Sequence, residues 1–268
     1  LLHASAAVEP MGARLVHFTE HEISIEAGLG ARKRSIDVPI ASLQGWLDDN
    51  PGRTRVGISS FFRGAASVVL EPRRNRLEAN ISFPEAAAKL IPSLEGPLFV
   101  EGVKAASKSE SPLFGKPFLG DLFVAHFIEL NQGRVLLRED EVARWAVSRD
   151  RTEKAALSLV YYRTYDVDPA PVAGLSRVVQ YRFGDGSDAA RALLLEQLHY
   201  SAVRKGMAFS VPNNGLILWT ESPEDDDAVV ELSRATKAAF ADSAWPLSAQ
   251  IHLFRGGVVS ELSAPAEA

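Results

Sequence analysis

The clearest indication of the fold is the segment Ala208-Phe209-Ser210-Val211-Pro212-Asn213-Asn214-Gly215-Leu216-Ile217-Leu218-Trp219. Both of its ends are apolar and its centre is a run of four turn-forming residues, so it predicts two strands joined by a turn. A strand over 178–183 and a helix over 187–205 are predicted before it, and a helix over 227–241 is predicted after it. The chain then closes with a predicted hairpin, in which 248–254 pairs with 258–262.

Strands and helices alternate in the same way through the rest of the chain. β structure is predicted over 14–40 and over 122–130, where 135–137 returns as a hairpin partner. Apolar spacing and turn signals predict the remaining helices, at 41–47, 58–70, 85–91, 139–145 and 152–162. We therefore predict a mixed α/β fold, with α+β as the alternative, in which antiparallel or mixed sheets are covered by helices.

The domain organisation depends on one linker candidate. Residues 102–117 carry Ser107, Ser109, Ser111 and Pro112, the composition of a connecting segment. We predict one α/β domain over 13–262, with two lobes, 13–101 and 118–262, as the alternative. Residues 1–12 are expected to be a poorly ordered terminal segment, and 263–268 a tail.

Composition and charge exclude several classes of protein. The 268 residues are 46% hydrophobic and 24% charged, as in a soluble globular protein, and the formal charge of -5 gives no bulk attraction for nucleic acid or an anionic membrane. The lack of cysteine excludes disulfides and thiolate sites, and indicates a cytoplasmic setting. The longest uncharged run, 206–220, is shorter than the about 20 residues of a spanning helix. We expect no membrane association and no cofactor.

Three segments resemble the YtpQ-like family of uncharacterised bacterial proteins, which carry a domain of unknown function. The segments are Asp185-Gly186-Ser187-Asp188-Ala189-Ala190-Arg191-Ala192-Leu193, then Phe209-Ser210-Val211-Pro212 with Leu216-Ile217-Leu218, and 155–159 after Trp145. The weaker similarity spans about residues 13–262. Where that family has a polar pair and an acid after the proline, this chain has Asn213, Asn214 and Gly215, which puts acid or base chemistry at this turn in doubt. The resemblance implies the fold and a cytosolic bacterial origin, and it leaves the function open.

One short motif suggests a metal site. His17-Phe18-Thr19-Glu20-His21 matches H-x-x-E-H, in which the two histidines bind zinc and the glutamate acts on the bound water. That chemistry requires a helix, whereas the flanking residues alternate as strands do. Two surface histidines near a hairpin turn are the favoured interpretation, and a zinc-dependent hydrolase using His17, Glu20 and His21 is an alternative.

A ligand-facing edge is predicted where the 187–205 helix begins and the 212–215 turn lies. Its candidate residues are Asp185, Asp188, Arg191, Asn213 and Asn214, which we expect to converge. The other histidines give no shared site: His126 is expected to be a buried neutral imidazole, His199 to lie within the helix, and His252 to lie in the last hairpin.

The only basic concentration consists of Arg53, Arg55, Arg63, Arg73, Arg74 and Arg76. Phe61 and Phe62 interrupt it, but helical spacing places them in the core, so only weak nucleic-acid binding is an alternative. No G-x-S-x-G, S-x-x-K, G-x-x-x-x-G-K-[ST] or G-x-G-x-x-G motif is present. The sequence therefore favours a non-catalytic binding or protein-interaction module, compatible with a protein partner.

Overall fold

The computed structural model describes residues 1–28, 33–71, 81–107, 109–131 and 133–265. The chain divides into two compact units, Leu1–Ala156 and Leu157–Ala268. Both combine helices with sheets whose strand pairs are antiparallel across the described residues, which confirms the predicted mixed α/β class. Within these residues no helix has the length and apolar character needed to cross a membrane.

The first unit contains a three-stranded and a four-stranded sheet. Its elements are α1 (Leu2–Val8), β1 (Ala13–Phe18), β2 (Glu22–Ala27), β3 (Arg34–Pro39), α2 (Ala41–Asp49), α3 (Thr54–Leu70), α4 (Phe83–Ala87), β4 (Leu90–Glu95), α5 (Phe99–Ala106), β5 (Gly115–Phe118), β6 (Leu122–Leu130), β7 (Gly133–Leu136), α6 (Glu139–Arg144) and the start of α7 (Arg149–Tyr162). Strands β1, β2 and β3 form one meander. In the other sheet β6 pairs with β4 along one side and with β5 and β7 along the other.

Helices α3 and α5 cross closely at two glycines. A Cβ atom on Gly64 would lie 2.2 Å from the carbonyl oxygen of Phe99, and one on Gly102 would lie 1.9 Å from the carbonyl oxygen of Phe61. Only glycine permits this approach, because any side chain would force the two backbones apart. The phenyl rings of Phe61 and Phe62 are buried on α3, as the helical spacing predicts.

The second unit is built on a six-stranded sheet. Its elements after α7 are β8 (Ala170–Pro171), β9 (Val179–Tyr181), a 3-10 helix (Ala189–Leu194), α8 (Leu195–Leu198), α9 (Tyr200–Lys205), β10 (Met207–Asn213), β11 (Leu216–Thr220), α10 (Asp226–Asp242), β12 (Ile251–Arg255) and β13 (Val258–Leu262). The strand order is β13-β12-β10-β11-β9-β8. The predicted β10–β11 pair lies at the centre of this sheet, and β12 and β13 form the predicted hairpin.

The central strands of the six-stranded sheet, β10 and β11, are buried on both faces. On one face α10 packs against a core that includes Ala208, Leu216 and Leu218. Side chains alternate along a strand, so Phe209 and Trp219 point to the other face, where they lie opposite each other in register. The 3-10 helix contacts β10 and β11, and α9 contacts β10 and β12. The acidic run before α10 caps that helix, since the Asp225 carboxylate accepts hydrogen bonds from the two N–H groups of Asp227 and Ala228.

Two predicted helices are wrong in part. Over 85–91 the helix ends early, because α4 is one capped turn, with Ser82 and Glu85 in a capping box, and Leu90 begins the buried strand β4. Over 187–205 the helix is interrupted at His199, whose backbone has φ -131° and ψ 42°. The His199 ring is hydrogen-bonded to the Tyr181 hydroxyl at 3.1 Å, a tertiary contact that helix propensity does not encode.

The termini and the division of the chain also differ from the expectations. Residues 1–12 include helix α1, ordered because Ala4, Ala7 and Val8 are buried and α1 packs against α3. The boundary between units falls within α7 rather than at 102–117. That segment contains most of α5 and most of β5, which pack or pair with other elements of the first unit. Of the tail 263–268, residues 266–268 lie outside the described residues.

Candidate functional site

A buried arginine organises the loop between β9 and the 3-10 helix. The Arg191 side chain is 0% exposed, and its two terminal nitrogens contact the Asp185 carboxylate at 3.0 and 2.8 Å in a bidentate pair. Its Nη1 also lies 3.5 Å from the fully buried carboxylate of Asp188, and its Nε donates to the Thr164 hydroxyl at 2.9 Å. This planar fork of donors is what a guanidinium supplies and a lysine lacks.

The two aspartates also hold the loop backbone. Asp188 accepts hydrogen bonds from the N–H groups of Phe183 and Gly184, at 2.5 and 2.9 Å, and Asp185 accepts one from the Ser187 N–H at 2.9 Å. Burial raises the pKa of Asp188, and the charge of Asp185 adds to the increase. Burial also acts to raise the pKa of Asp185, but hydrogen bonds from Arg191 and Ser187 outweigh it and leave that pKa below its ordinary value.

The predicted convergence of the loop with the β10–β11 turn is present. The Ala189 N–H, at the start of the 3-10 helix, donates to the Asn214 carbonyl oxygen at 3.1 Å. The Asn213 amide points the other way, toward the Ala239 carbonyl of α10 at 3.2 Å, and its Oδ1 accepts from the Gly215 N–H. Asp188, Arg191 and Asn214 are all buried, so their contacts provide structural support. Ligand binding by the five predicted residues stays a prediction.

The same network carries exposed aromatic side chains. The Phe183 ring is partly exposed and its centroid lies 3.9 Å from the guanidinium carbon of Arg191, within cation–π range. Thr164, which receives the Arg191 hydrogen bond, is fully buried and donates to the Val160 carbonyl at 2.7 Å. Thr164 thereby anchors the turn that follows α7, on which Tyr165 is exposed.

Three tyrosines at the end of α7 form a cluster. The rings of Tyr161 and Tyr165 are nearly parallel, at 15°, with centroids 5.7 Å apart. Tyr162 stands edge-on to both rings, with centroids 5.8 and 6.2 Å away. Tyr162 and Tyr165 are 69% and 58% exposed, which is unusual for side chains of this size that also contact one another.

A second aromatic group joins the cluster to the sheet. The Tyr181 hydroxyl lies 3.4 Å from the Val167 carbonyl oxygen and 3.1 Å from His199 Nε2. The rings of Tyr181 and His199 both contact the buried indole of Trp219. Burial lowers the pKa of His199 and raises that of Tyr181, so both groups are neutral near pH 7. Tyr200, next to His199, is exposed. These contacts connect the exposed side chains to one packed scaffold.

We define the aromatic surface as the exposed residues that this scaffold carries: Tyr162, Tyr165, Val167, Phe183 and Tyr200. Among the described residues of the second unit, these are the exposed large apolar side chains apart from Val258 on β13. Sequence patterns did not predict this surface. The signal was present, because all five tyrosines of the chain lie between residues 161 and 200.

The H-x-x-E-H segment does not form a helix. His17 lies on β1, and Glu20 and His21 lie in the turn before β2. The helical geometry that the zinc hypothesis requires is therefore not met. In the part of the chain that the structure describes, no group of three or more His, Cys, Asp or Glu is placed to hold a metal ion.

The remaining candidates have structural contacts. His126 is 2% exposed on β6, with Nδ1 3.4 Å from the Phe114 carbonyl oxygen, and burial lowers its pKa to about 4, which confirms the predicted neutral imidazole. In the basic segment Arg53 pairs with Asp121, and Arg63 forms a bidentate pair with the buried Glu95. Arg73, Arg74 and Arg76 lie outside the described residues.

Comparison with known proteins identifies no relative of this chain. No protein-family model, curated protein sequence or solved structure matches the chain. The resemblance to the YtpQ-like family therefore stays a prediction, and the function has to be argued from the aromatic surface and the contacts that support it.

Proposed function

We propose that this protein is a non-catalytic interaction module, and that its second unit binds a protein partner through the aromatic surface. The observation that carries the proposal is the concentration of exposed aromatic side chains on a scaffold fixed by the buried Arg191 network. Tyrosine and phenylalanine are enriched in protein interfaces, where each combines a large apolar area with few rotatable bonds.

The energetics favour a bound surface over a merely tolerated one. Burying apolar area contributes roughly 25 cal/mol per Å², so covering rings as exposed as those of Tyr162 and Tyr165 would stabilise a complex appreciably. The support is already ordered: Thr164, Asp188 and Arg191 are buried, so little conformational entropy is lost at this position on binding. Contiguous exposed apolar patches commonly mark interaction sites.

The titratable groups near the surface fit a binding role better than a catalytic one. Asp185 and Asp188 are engaged by Arg191 and by backbone N–H groups, and His199 and Tyr181 are hydrogen-bonded to each other. A general base has to reach a substrate proton, whereas these groups use their polar atoms to hold the fold. This arrangement supports an interaction role for the aromatic surface over a catalytic role for the titratable groups beside it.

Quantitative co-purification tests the proposal. The tagged full chain is used to capture proteins from a lysate of the native host, in parallel with a Tyr162→Ala/Tyr165→Ala variant and a Val258→Ala control. Because Val258 is equally exposed but lies on β13, its replacement should leave the captured protein unchanged. We expect a reproducible partner whose recovery falls at least tenfold with the double variant. Equal recovery by the double variant, or reproducible turnover of a small molecule without any partner, would contradict the proposal.

A further inference from the structure

The tyrosine cluster at the end of α7 indicates which chemistry its partner presents. Resting on the proposed function, we propose that Tyr161, Tyr162 and Tyr165, flanked by Asp166 and Asp168, receive the arginine or lysine side chains of a basic segment in the partner protein. The occupant is thus a positively charged peptide segment, held by ring faces and carboxylates together.

The charge distribution is the first support. The second unit, 157–268, contains nine Lys and Arg against 14 Asp and Glu, whereas 1–156 contains 20 of each, so the whole formal charge of -5 resides in the second unit. A positively charged segment is therefore attracted to this unit, and a negatively charged one is repelled.

Several cations of the second unit are already engaged with acids. Arg191 pairs with Asp185 and Asp188, and the charge of Arg163 acts on Asp185. Elsewhere in the second unit, the exposed Arg177 pairs with Asp225 and Asp227, and Arg255 pairs with Glu224. Asp166 and Asp168 are exposed beside Tyr165. Two exposed carboxylates therefore lie next to the exposed rings in the chain.

The ring geometry is the second support. The three centroids lie between 5.7 and 6.2 Å from one another, so a basic side chain seated on the exposed face of one ring has the other two rings close by. The rings of Tyr161 and Tyr165 are parallel and that of Tyr162 is perpendicular, which gives faces in two directions. A guanidinium plane suits such faces better than an ammonium, because it stacks as well as interacting with the ring quadrupole.

Calorimetric titration of the full chain tests this assignment. The probes are peptides of nine arginines, nine lysines and nine glutamates, each at low and moderate salt. We expect the arginine peptide to bind more tightly than the lysine peptide, with affinity falling as salt rises, and the glutamate peptide not to bind. Tyr162→Ala/Tyr165→Ala should weaken arginine-peptide binding at least fivefold, whereas Tyr162→Phe/Tyr165→Phe, which keeps the ring faces, should stay within twofold of the wild type.

Charge-matched variants separate a defined site from general attraction. Asp166→Asn/Asp168→Asn should weaken binding at least threefold, and Asp226→Asn/Asp242→Asn, which removes two exposed charges from the ends of α10, should change it less than 1.5-fold. Equal losses in the two variants, or full affinity in the alanine double variant, would overturn the assignment. If no basic peptide binds while the alanine variant still loses its partner from lysate, the basic segment is excluded and the interaction module stands. If the peptides bind as expected but the partner is retained, the proposed function fails instead.

Discussion

Replacing Arg191 with methionine is the most informative perturbation of the second unit. The substitution keeps a long side chain and removes the bidentate pair with Asp185, the contact with Asp188 and the donor to Thr164. The Asp188 carboxylate would remain 0% exposed without a cation. Breaking a buried ion pair by removing one partner costs about 3–5 kcal/mol, so we expect the free energy of unfolding of this unit to fall by about that amount.

Hydrogen exchange with mass spectrometry over a urea series provides the assay, because it follows peptides of each unit separately. Peptides from 178–220 should lose protection at lower urea in the Arg191→Met variant, while peptides of the first unit keep theirs. Arg177→Met is the matched control: Arg177 is exposed and its partners Asp225 and Asp227 are in contact with solvent, so the expected loss is much smaller than for Arg191→Met. A loss for Arg191→Met no larger than that of the control would refute the role given to the network.

Three further predictions concern other parts of the chain. Gly102→Ala places a Cβ 1.9 Å from the carbonyl oxygen of Phe61, so we expect a loss of about 1–3 kcal/mol, measured by urea unfolding; an unchanged midpoint would show that α3 and α5 do not cross as described. The pKa of His126 is about 4 in the folded protein against 6.5 in the unfolded one, so the free energy of unfolding is highest above pH 6.5 and falls by up to about 3 kcal/mol toward pH 4. His126→Gln should remove this part of the pH dependence, and an identical pH profile in the variant would contradict the prediction. Tyr162→Ala/Tyr165→Ala should lower the unfolding free energy by no more than about 1–2 kcal/mol, because both rings are exposed and mainly their contacts with each other and with Tyr161 are lost; a larger loss by calorimetry would show that they support the fold.

The sequence predicts the elements whose local signals agree with their surroundings. Strands β10 and β11 combine apolar runs with a Pro-Asn-Asn-Gly turn, and α10 combines an acidic cap with helical spacing, so each forms as predicted. Strand β4 is different, because Leu90 follows helix-forming residues and becomes a strand only by pairing with β6. His199 is a similar case, since its non-helical backbone accompanies a hydrogen bond to Tyr181, 18 residues away.

The candidate site shows the same limit. The convergence of Asp188 and Arg191 with the turn at Asn214 could be predicted, because the helix expected over 187–205 leads directly into the strand that ends at this turn, and a helix packed back along a strand starts near that strand's end. Their burial could not, since it depends on the fit of Arg191 against Thr164, which lies 27 residues earlier. Exposure of a tyrosine is likewise a property of packing rather than of spacing, so the aromatic surface emerged only from the structure.

Tyrosine footprinting of the captured complex is the sharpest test of whether the aromatic surface binds the partner. The five tyrosines all lie in the second unit, and they include the buried Tyr181 as an internal reference for labelling. We expect a tyrosine-selective reagent to modify Tyr162 and Tyr165 in the free protein. Partner binding should lower the modification rates of both residues at least fivefold, while Tyr181 stays unmodified. Unchanged labelling of Tyr162 and Tyr165 in a complex that is otherwise saturated would contradict the assignment of this surface.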